Sequence, residues 1–146
     1  MPVRRAKLPQ DIDALFELNR LISPDETKER FIDDLHRSGE FIFVAEDGSG
    51  IAGLFSYSFP WWDSVAISMH FIVRPDCRNK GIGSALLKTG ITCAKENACT
   101  FLTIQTANWN SNAIRLYEKF GFVRKATFPD YCGPKNELVW LDKDLR

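Results

Sequence analysis

Two hydrophobic periods alternate along the chain. The segment "PQDIDALFELNRLI" gathers Ile12, Leu15, Phe16 and Leu18 into one stripe at helical spacing, with Asp11 placed to cap it. A second helix is expected to open at "SPDE", with Ser23 as N-cap, Pro24 in the first turn and Glu26 closing a capping box. It runs to about Ser38 and Gly39, where glycine ends it. The short-period runs read as strands: "VRRA", then "FIFVAE" and "IAGLFSYSF" as a hairpin around "DGSG", then Val65 to about Arg74. After them come a helix from about Gly83 to Glu96, a strand "TFLTIQT" and a helix "SNAIRLYEKF" ended by Gly121. The strands "FVRKATF" and "ELVWLDK" close the chain.

Strands alternating with helices, without repeats or linkers, predict one α/β (α+β) domain over residues 1–146. At 45% hydrophobic and 26% charged the composition is that of a globular protein. Nineteen basic residues balance nineteen acidic ones, so no global field draws nucleic acid or an anionic membrane, and any anion site is local. No apolar run approaches the ~20 residues that span a bilayer, and "MPVRRAKLPQDID" lacks the apolar region of a secretory signal. Cys77, Cys93, Cys99 and Cys132 show no CxxC spacing, and the histidines are His36 and His70. No metal site is therefore expected, and reduced thiols in a cytoplasmic protein are.

One junction breaks the hydrophobic pattern. "RNKGIGSALL" puts polar residues, two of them cationic, and two close glycines between a strand and a helix. A dinucleotide fingerprint fails because Leu86 stands where its third glycine would be, and a P-loop fails because one residue separates the glycines. Two readings remain: a glycine-rich connection that binds nothing, or R-x-x-G-x-G, in which Gly81 and Gly83 let the backbone bend and approach a ligand. The N–H groups from Asn79 to Ser84 then converge at the positive end of the following helix. That arrangement suits a pyrophosphate, with Arg78 and Lys80 as auxiliary charges.

About two dozen residues on, "ANWNSNAIRLYEKFGF" follows a strand and opens a helix capped by Asn110 or Ser111. Ala113, Leu116, Tyr117 and Phe120 lie on one face of it. The two motifs at this separation, and the element order, resemble the GNAT superfamily of acetyl-CoA-dependent N-acetyltransferases over nearly the whole chain. The resemblance implies a mixed sheet of about seven strands, splayed between the fourth and fifth and flanked by four helices. It makes acetyl-CoA the co-substrate and needs no metal. It assigns the cofactor's main-chain contacts to Phe71, Ile72 and Val73, and the pyrophosphate to Arg78, Asn79, Lys80, Gly81, Ile82, Gly83 and Ser84. Further cofactor contacts fall to Asn110 and Ala113, and the general acid that protonates the departing thiolate is Tyr117.

The base that receives the amine's proton is open. His70 is the titratable residue of "VAISMHFIV", but alternation turns it away from the face of Phe71 and Val73, as a core histidine would be. Asp63 or a water relay are the other readings. "WNSNAIRLYEKFGF" and "FPWWDS" look most similar to the diamine and polyamine branch of the family. Asp25, Glu26, Glu29, Asp33 and Asp34 would give a cationic acceptor an acidic rim. Against that branch, Met69 stands where its members commonly carry a carboxylate. The expected function is acetyl transfer to a primary amine of a small cationic molecule, a diamine or polyamine or an amino-acid-like amine, by direct attack in a ternary complex, without nucleic acid or membrane partners. A homodimer is allowed. The alternatives are acetylation of a protein lysine or N-terminal amine, and a non-catalytic acyl-CoA-binding module.

Overall fold

The computed structural model describes residues 2–59 and 64–146. Its elements run β1 (Val3–Arg5), α1 (Ile12–Asn19), α2 (Lys28–Ser38), β2 (Ile42–Asp47), β3 (Gly50–Ser58) and β4 (Val65–Val73). A 3-10 turn (Pro75–Cys77) then leads to α3 (Ile82–Glu96), β5 (Phe101–Ala107), α4 (Ser111–Lys119), β6 (Val123–Pro129) and β7 (Glu137–Asp144). The strands form a seven-stranded sheet in the order β1-β2-β3-β4-β5-β7-β6. The element order, the sheet and the four helices are those expected from the sequence. Two compact units make up the chain: Met1–Ser58 with Met69–Cys93, and Phe59–Ser68 with Ala94–Arg146.

In the first unit, β2 pairs antiparallel with β1 and β3. Leu15 and Leu18 of α1 and Phe31 and Leu35 of α2 pack with Ile42, Val44, Leu54 and Ile72 in a buried cluster. Each fully buried side chain of this size contributes about 1.5–3 kcal/mol. The opposite face of β3 meets α3, where a Cβ on Gly53 would stand 2.8 Å from Leu86 and 3.0 Å from Ile82.

Helix starts differ from the expectation. The carboxylate of Asp11 does not cap α1; it accepts from the Arg4 guanidinium at 2.7 Å and from the Lys7 amide at 2.7 Å. α2 begins at Lys28, not at Ser23–Pro24, because Thr27 supplies the cap by accepting from the Arg30 amide at 3.2 Å. Glu26 closes no capping box; it accepts from Nδ2 of the buried Asn19 at 2.6 Å.

In the second unit, β4 and β5 form a parallel ladder that joins Val65–Ile67 to Phe101–Thr103. The ladder stops there, while β4 continues to Val73 and β5 to Ala107. β7 pairs antiparallel with β5 and β6. Residues directly opposite one another share a face. Leu102, Ile104 and Thr106 therefore lie with Lys143, Leu141 and Val139, while Thr103, Gln105 and Ala107 lie with Asp142, Trp140 and Leu138. The first of these faces meets α4: Lys143 Nζ donates to the Phe120 carbonyl at 2.7 Å, and Asn110 Nδ2 donates to Thr106 Oγ1 at 3.2 Å.

Among the described residues no helix is long and apolar enough to cross a membrane, and no group of three or more His, Cys, Asp or Glu is placed to hold a metal ion. Cys77, Cys93 and Cys99 are buried and Cys132 is half-buried.

Candidate functional site

The first unit holds Phe71, Ile72, Val73 and the whole Arg78–Ser84 turn; the second holds Asn110, Ala113 and Tyr117. The backbone of the turn is left-handed at Asn79 (φ 61°) and at Gly81 (φ 82°). Glycine adopts that conformation without penalty and asparagine tolerates it. The reversal throws the chain into α3, whose first bond runs from the Ala85 amide to the Gly81 carbonyl at 3.0 Å. The N–H groups of a helix's first turn have no intrahelical acceptor and carry its positive end. Arg78, Asn79, Lys80 and Gly81 are exposed around them, and Arg78 and Lys80 form no ion pair among the described residues. The turn is thus locally cationic and lined by N–H groups, an arrangement chemically able to receive an anion.

The two glycines of the motif do different jobs. Gly81 carries the left-handed turn, whereas Gly83 lies within α3 and not among the positive-φ residues. Ile82 is buried and its side chain packs toward Gly53.

An anchor that the sequence did not reveal precedes this turn. The Arg74 amide donates to Ala52 O at 2.8 Å. Its guanidinium donates to Asp47 Oδ2 at 2.9 Å, Ser49 Oγ at 2.8 Å and Asp76 Oδ1 at 2.8 Å. The Cys77 thiol donates to Asp47 Oδ2 at 3.2 Å. Hydrogen bonds from Ser49, then from Cys77, with the charge of Arg74, hold the Asp47 carboxyl well below the usual range. Burial and the bond to Asp47 push the Cys77 thiol up. The β2–β3 hairpin is thereby tied to the chain entering the turn. Only the position of Arg74, at the strand's exit, was a signal in the sequence.

His70 and Phe71 point to opposite faces of β4, as the alternation predicts. The Phe71 ring meets Phe55 edge-on at 5.1 Å, while His70 packs edge-on against Phe31 of α2 at 5.3 Å. His70 is 7% exposed, and its Nδ1 lies 2.9 Å from Ser56 Oγ. Burial lowers its pKa, partly opposed by the charges of Asp34 and Glu26. These are the surroundings of a core histidine. Asp63, the other candidate base, lies outside the described residues.

On α4, Ile114 and Tyr117 are buried. The Tyr117 ring tilts against Phe122 at 5.9 Å, and burial pushes its hydroxyl pKa up. Ala113, Leu116 and Phe120 are half-buried. Asn110 occupies the N-cap position but makes no side-chain cap, while its Nδ2 donates to Thr106 Oγ1; Ser111 is the first helical residue. Of the acidic rim, one carboxylate is ion-paired among the described residues. Asp34 pairs with Arg37 at 3.2 Å, and Asp25 and Glu26 line an open depression of ≈ 460 Å³ together with Arg30.

The chain is similar to known proteins in sequence and in fold. YdhI, an uncharacterised protein of Bacillus subtilis, is 37% identical over 89 residues, which are 60% of this chain and 53% of YdhI. The Bos taurus thialysine N-epsilon-acetyltransferase is 33% identical over 70 residues, 47% of this chain and 41% of that protein. The chain thus spans about half the length of the curated relatives it matches. In fold, it superposes on yncA of Salmonella typhimurium, solved with its cofactor acetyl-CoA, with a TM-score of 0.87 at 19% identity, over 100% of this chain and 94% of that one. The acetyltransferase (GNAT) family matches residues 10–122, and the chain belongs to that family.

Proposed function

We propose that the chain is an acetyl-CoA-dependent N-acetyltransferase whose two units act as one domain over residues 1–146, and that it acetylates a primary amine of a small cationic acceptor. One observation carries this reading: the left-handed turn at Asn79 and Gly81 that opens α3 toward an anion. A pyrophosphate fits that seat, with the N–H groups from Asn79 to Ser84 donating and Arg78 and Lys80 supplying charge. Phe71, Ile72 and Val73 offer main-chain groups to the pantetheine arm and the thioester, and Asn110 and Ala113 complete the cofactor's contacts.

The acceptor's nitrogen attacks the thioester carbon, and a main-chain N–H of β4 stabilises the resulting oxyanion, a contribution of about 3 kcal/mol for one well-aimed donor. The C–S bond then breaks, and Tyr117 gives its phenolic proton to the departing thiolate. The amine's own proton leaves through water or to Asp63 and not to His70, which is tied to Ser56 and packed under Phe31. We place the enzyme in the cytoplasm, where thiols such as its four stay reduced.

The test is thiol release from acetyl-CoA across a panel of amines, with acetyl-CoA binding measured separately by calorimetry. Acetyl-CoA binding with amine-dependent release is expected. Binding without release for any amine leaves only a binding module, and no binding removes the reading.

A further inference from the structure

The turn from Arg78 to Gly81 is exposed, and both of its ends are fixed on the same β2–β3 hairpin. At the exit, the buried Ile82 meets Gly53 of β3, its Cγ2 standing 3.0 Å from where a Cβ would lie. At the entry, the Arg74 amide donates to Ala52 O at 2.8 Å, and its guanidinium to Ile51 O at 3.4 Å. Between these ends nothing lies within 4 Å of a Cβ at Gly81, so the ends decide where the turn sits.

Asp47, the last residue of β2, is the centre of the entry anchor. Its Oδ1 accepts from the Ser49 amide at 2.8 Å and from Ser49 Oγ at 2.7 Å. Its Oδ2 accepts from Arg74 Nη2 at 2.9 Å and from the Cys77 thiol at 3.2 Å. Arg74 and Cys77 bracket the Pro75–Cys77 3-10 turn, and Arg78 follows it directly. One carboxylate therefore joins the hairpin tip to both ends of the segment that leads into the turn. A guanidinium only donates, so the anchor depends on that acceptor, and a charged one bonds it most strongly.

The structure assigns Asp47 and Arg74 as positioning residues for acetyl-CoA. They act through the backbone of the turn, holding its entry in place before the cofactor arrives. A seat ordered in advance spares binding the cost of ordering it. The effect falls on the cofactor and not on the amine, because the chain they hold is the one that meets the pyrophosphate. The inference rests on the acetyl-transfer reading and extends it to residues outside the motif.

The experiment compares Asp47→Ala, Arg74→Met and the double variant with wild type. Acetyl-CoA Kd is read by titration calorimetry, and kcat and both KM values by thiol release with the best amine of the panel. Each single variant is expected to raise acetyl-CoA Kd and KM ~10-fold, with kcat at saturating acetyl-CoA and the KM for the amine unchanged. The double variant should bind no more weakly than the weaker single one, since the two residues form one anchor. Arg74→Lys keeps the charge but loses the fork, and its Kd should fall between wild type and Arg74→Met. It carries the test if the other variants do not fold. Wild-type Kd in any folded variant overturns the inference, as do additive losses in the double variant. A lower melting temperature and kcat with unchanged acetyl-CoA KM also overturns it, because that is the mark of a merely structural anchor. All three leave acetyl transfer standing. No acetyl-CoA binding by wild type defeats the acetyl-transfer reading itself, and this inference with it.

Discussion

Phe55 lies directly over Gly90: a Cβ at residue 90 would stand 2.3 Å from Cε1 and 2.7 Å from Cδ1 of its ring. Glycine in a helix interior costs about 1 kcal/mol relative to alanine, so its place in α3 needs a packing reason, and the ring is that reason. Phe55 in turn meets Phe71 edge-on at 5.1 Å, on the strand segment proposed to face the cofactor.

Gly90→Ala should therefore destabilise the fold although alanine is the better helix former. Overpacking a core commonly costs about 1–3 kcal/mol, and the displaced Phe55 ring should press on Phe71 and weaken acetyl-CoA binding. Calorimetric melting and titration check the two effects. A melting temperature at or above wild type would show that the ring yields freely.

The turn gives a sharper pair of substitutions. Nothing lies within 4 Å of a Cβ at Gly81, so a side chain there meets no clash and its penalty is conformational. At φ 82° that penalty is about 1–2 kcal/mol for Gly81→Val, and less for Gly81→Asn. Acetyl-CoA Kd should rise ~10-fold in the valine variant, and much less in Gly81→Asn or Asn79→Gly. Equal affinity in all three, by titration calorimetry, would disconnect this backbone from the cofactor.

His70 makes stability depend on pH. Its folded pKa is lowered, chiefly by burial, from an unfolded value near ~6.5. On acidification the unfolded chain takes up a proton before the folded one does, so the contribution is complete above about pH 7 and is lost as pH falls below ~6.5. His70→Gln can keep a bond to Ser56 and should flatten that part of the stability profile. As a core residue, His70 should leave the acidic limb of the kcat profile in place when replaced. Loss of that limb in a folded His70→Gln variant would instead make it the base.

What the sequence disclosed follows the range of each interaction. The Arg78–Ser84 turn was legible because left-handed backbone and helix opening are settled within a few residues. The faces of β4 followed from alternation alone. The start of α2 misled, because Ser23, Pro24 and Glu26 match a capping pattern locally while Asn19 takes Glu26 and Thr27 caps instead. The Arg74–Asp47 anchor joins residues 27 apart, and the grouping of Thr103 and Gln105 with Asp142 exists only once β5 and β7 are in register. No local pattern encodes either.

Tyr117 separates an enzyme from a binding module. Its ring packs on Phe122 at 5.9 Å and is 5% exposed, so Tyr117→Phe preserves the packing and deletes only the hydroxyl. Fold and acetyl-CoA affinity should hardly change. Because burial raises its pKa, the phenol stays protonated through the neutral range and is always loaded as a donor. An alkaline limb of kcat below ~pH 10 should therefore not come from this residue. A phenol this weak in acidity hands over its proton only as the C–S bond breaks and thiolate charge develops. Losing it should lower turnover ~10²-fold when leaving-group protonation limits the rate. The loss should shrink with an acyl donor whose thiol is more acidic, because that thiolate departs with less help. Single-turnover measurements with two such donors check both the size of the loss and its trend. Wild-type chemistry in Tyr117→Phe, or a loss of equal size for both donors, would make Tyr117 a packing residue of α4 and leave the thiolate to be protonated by water.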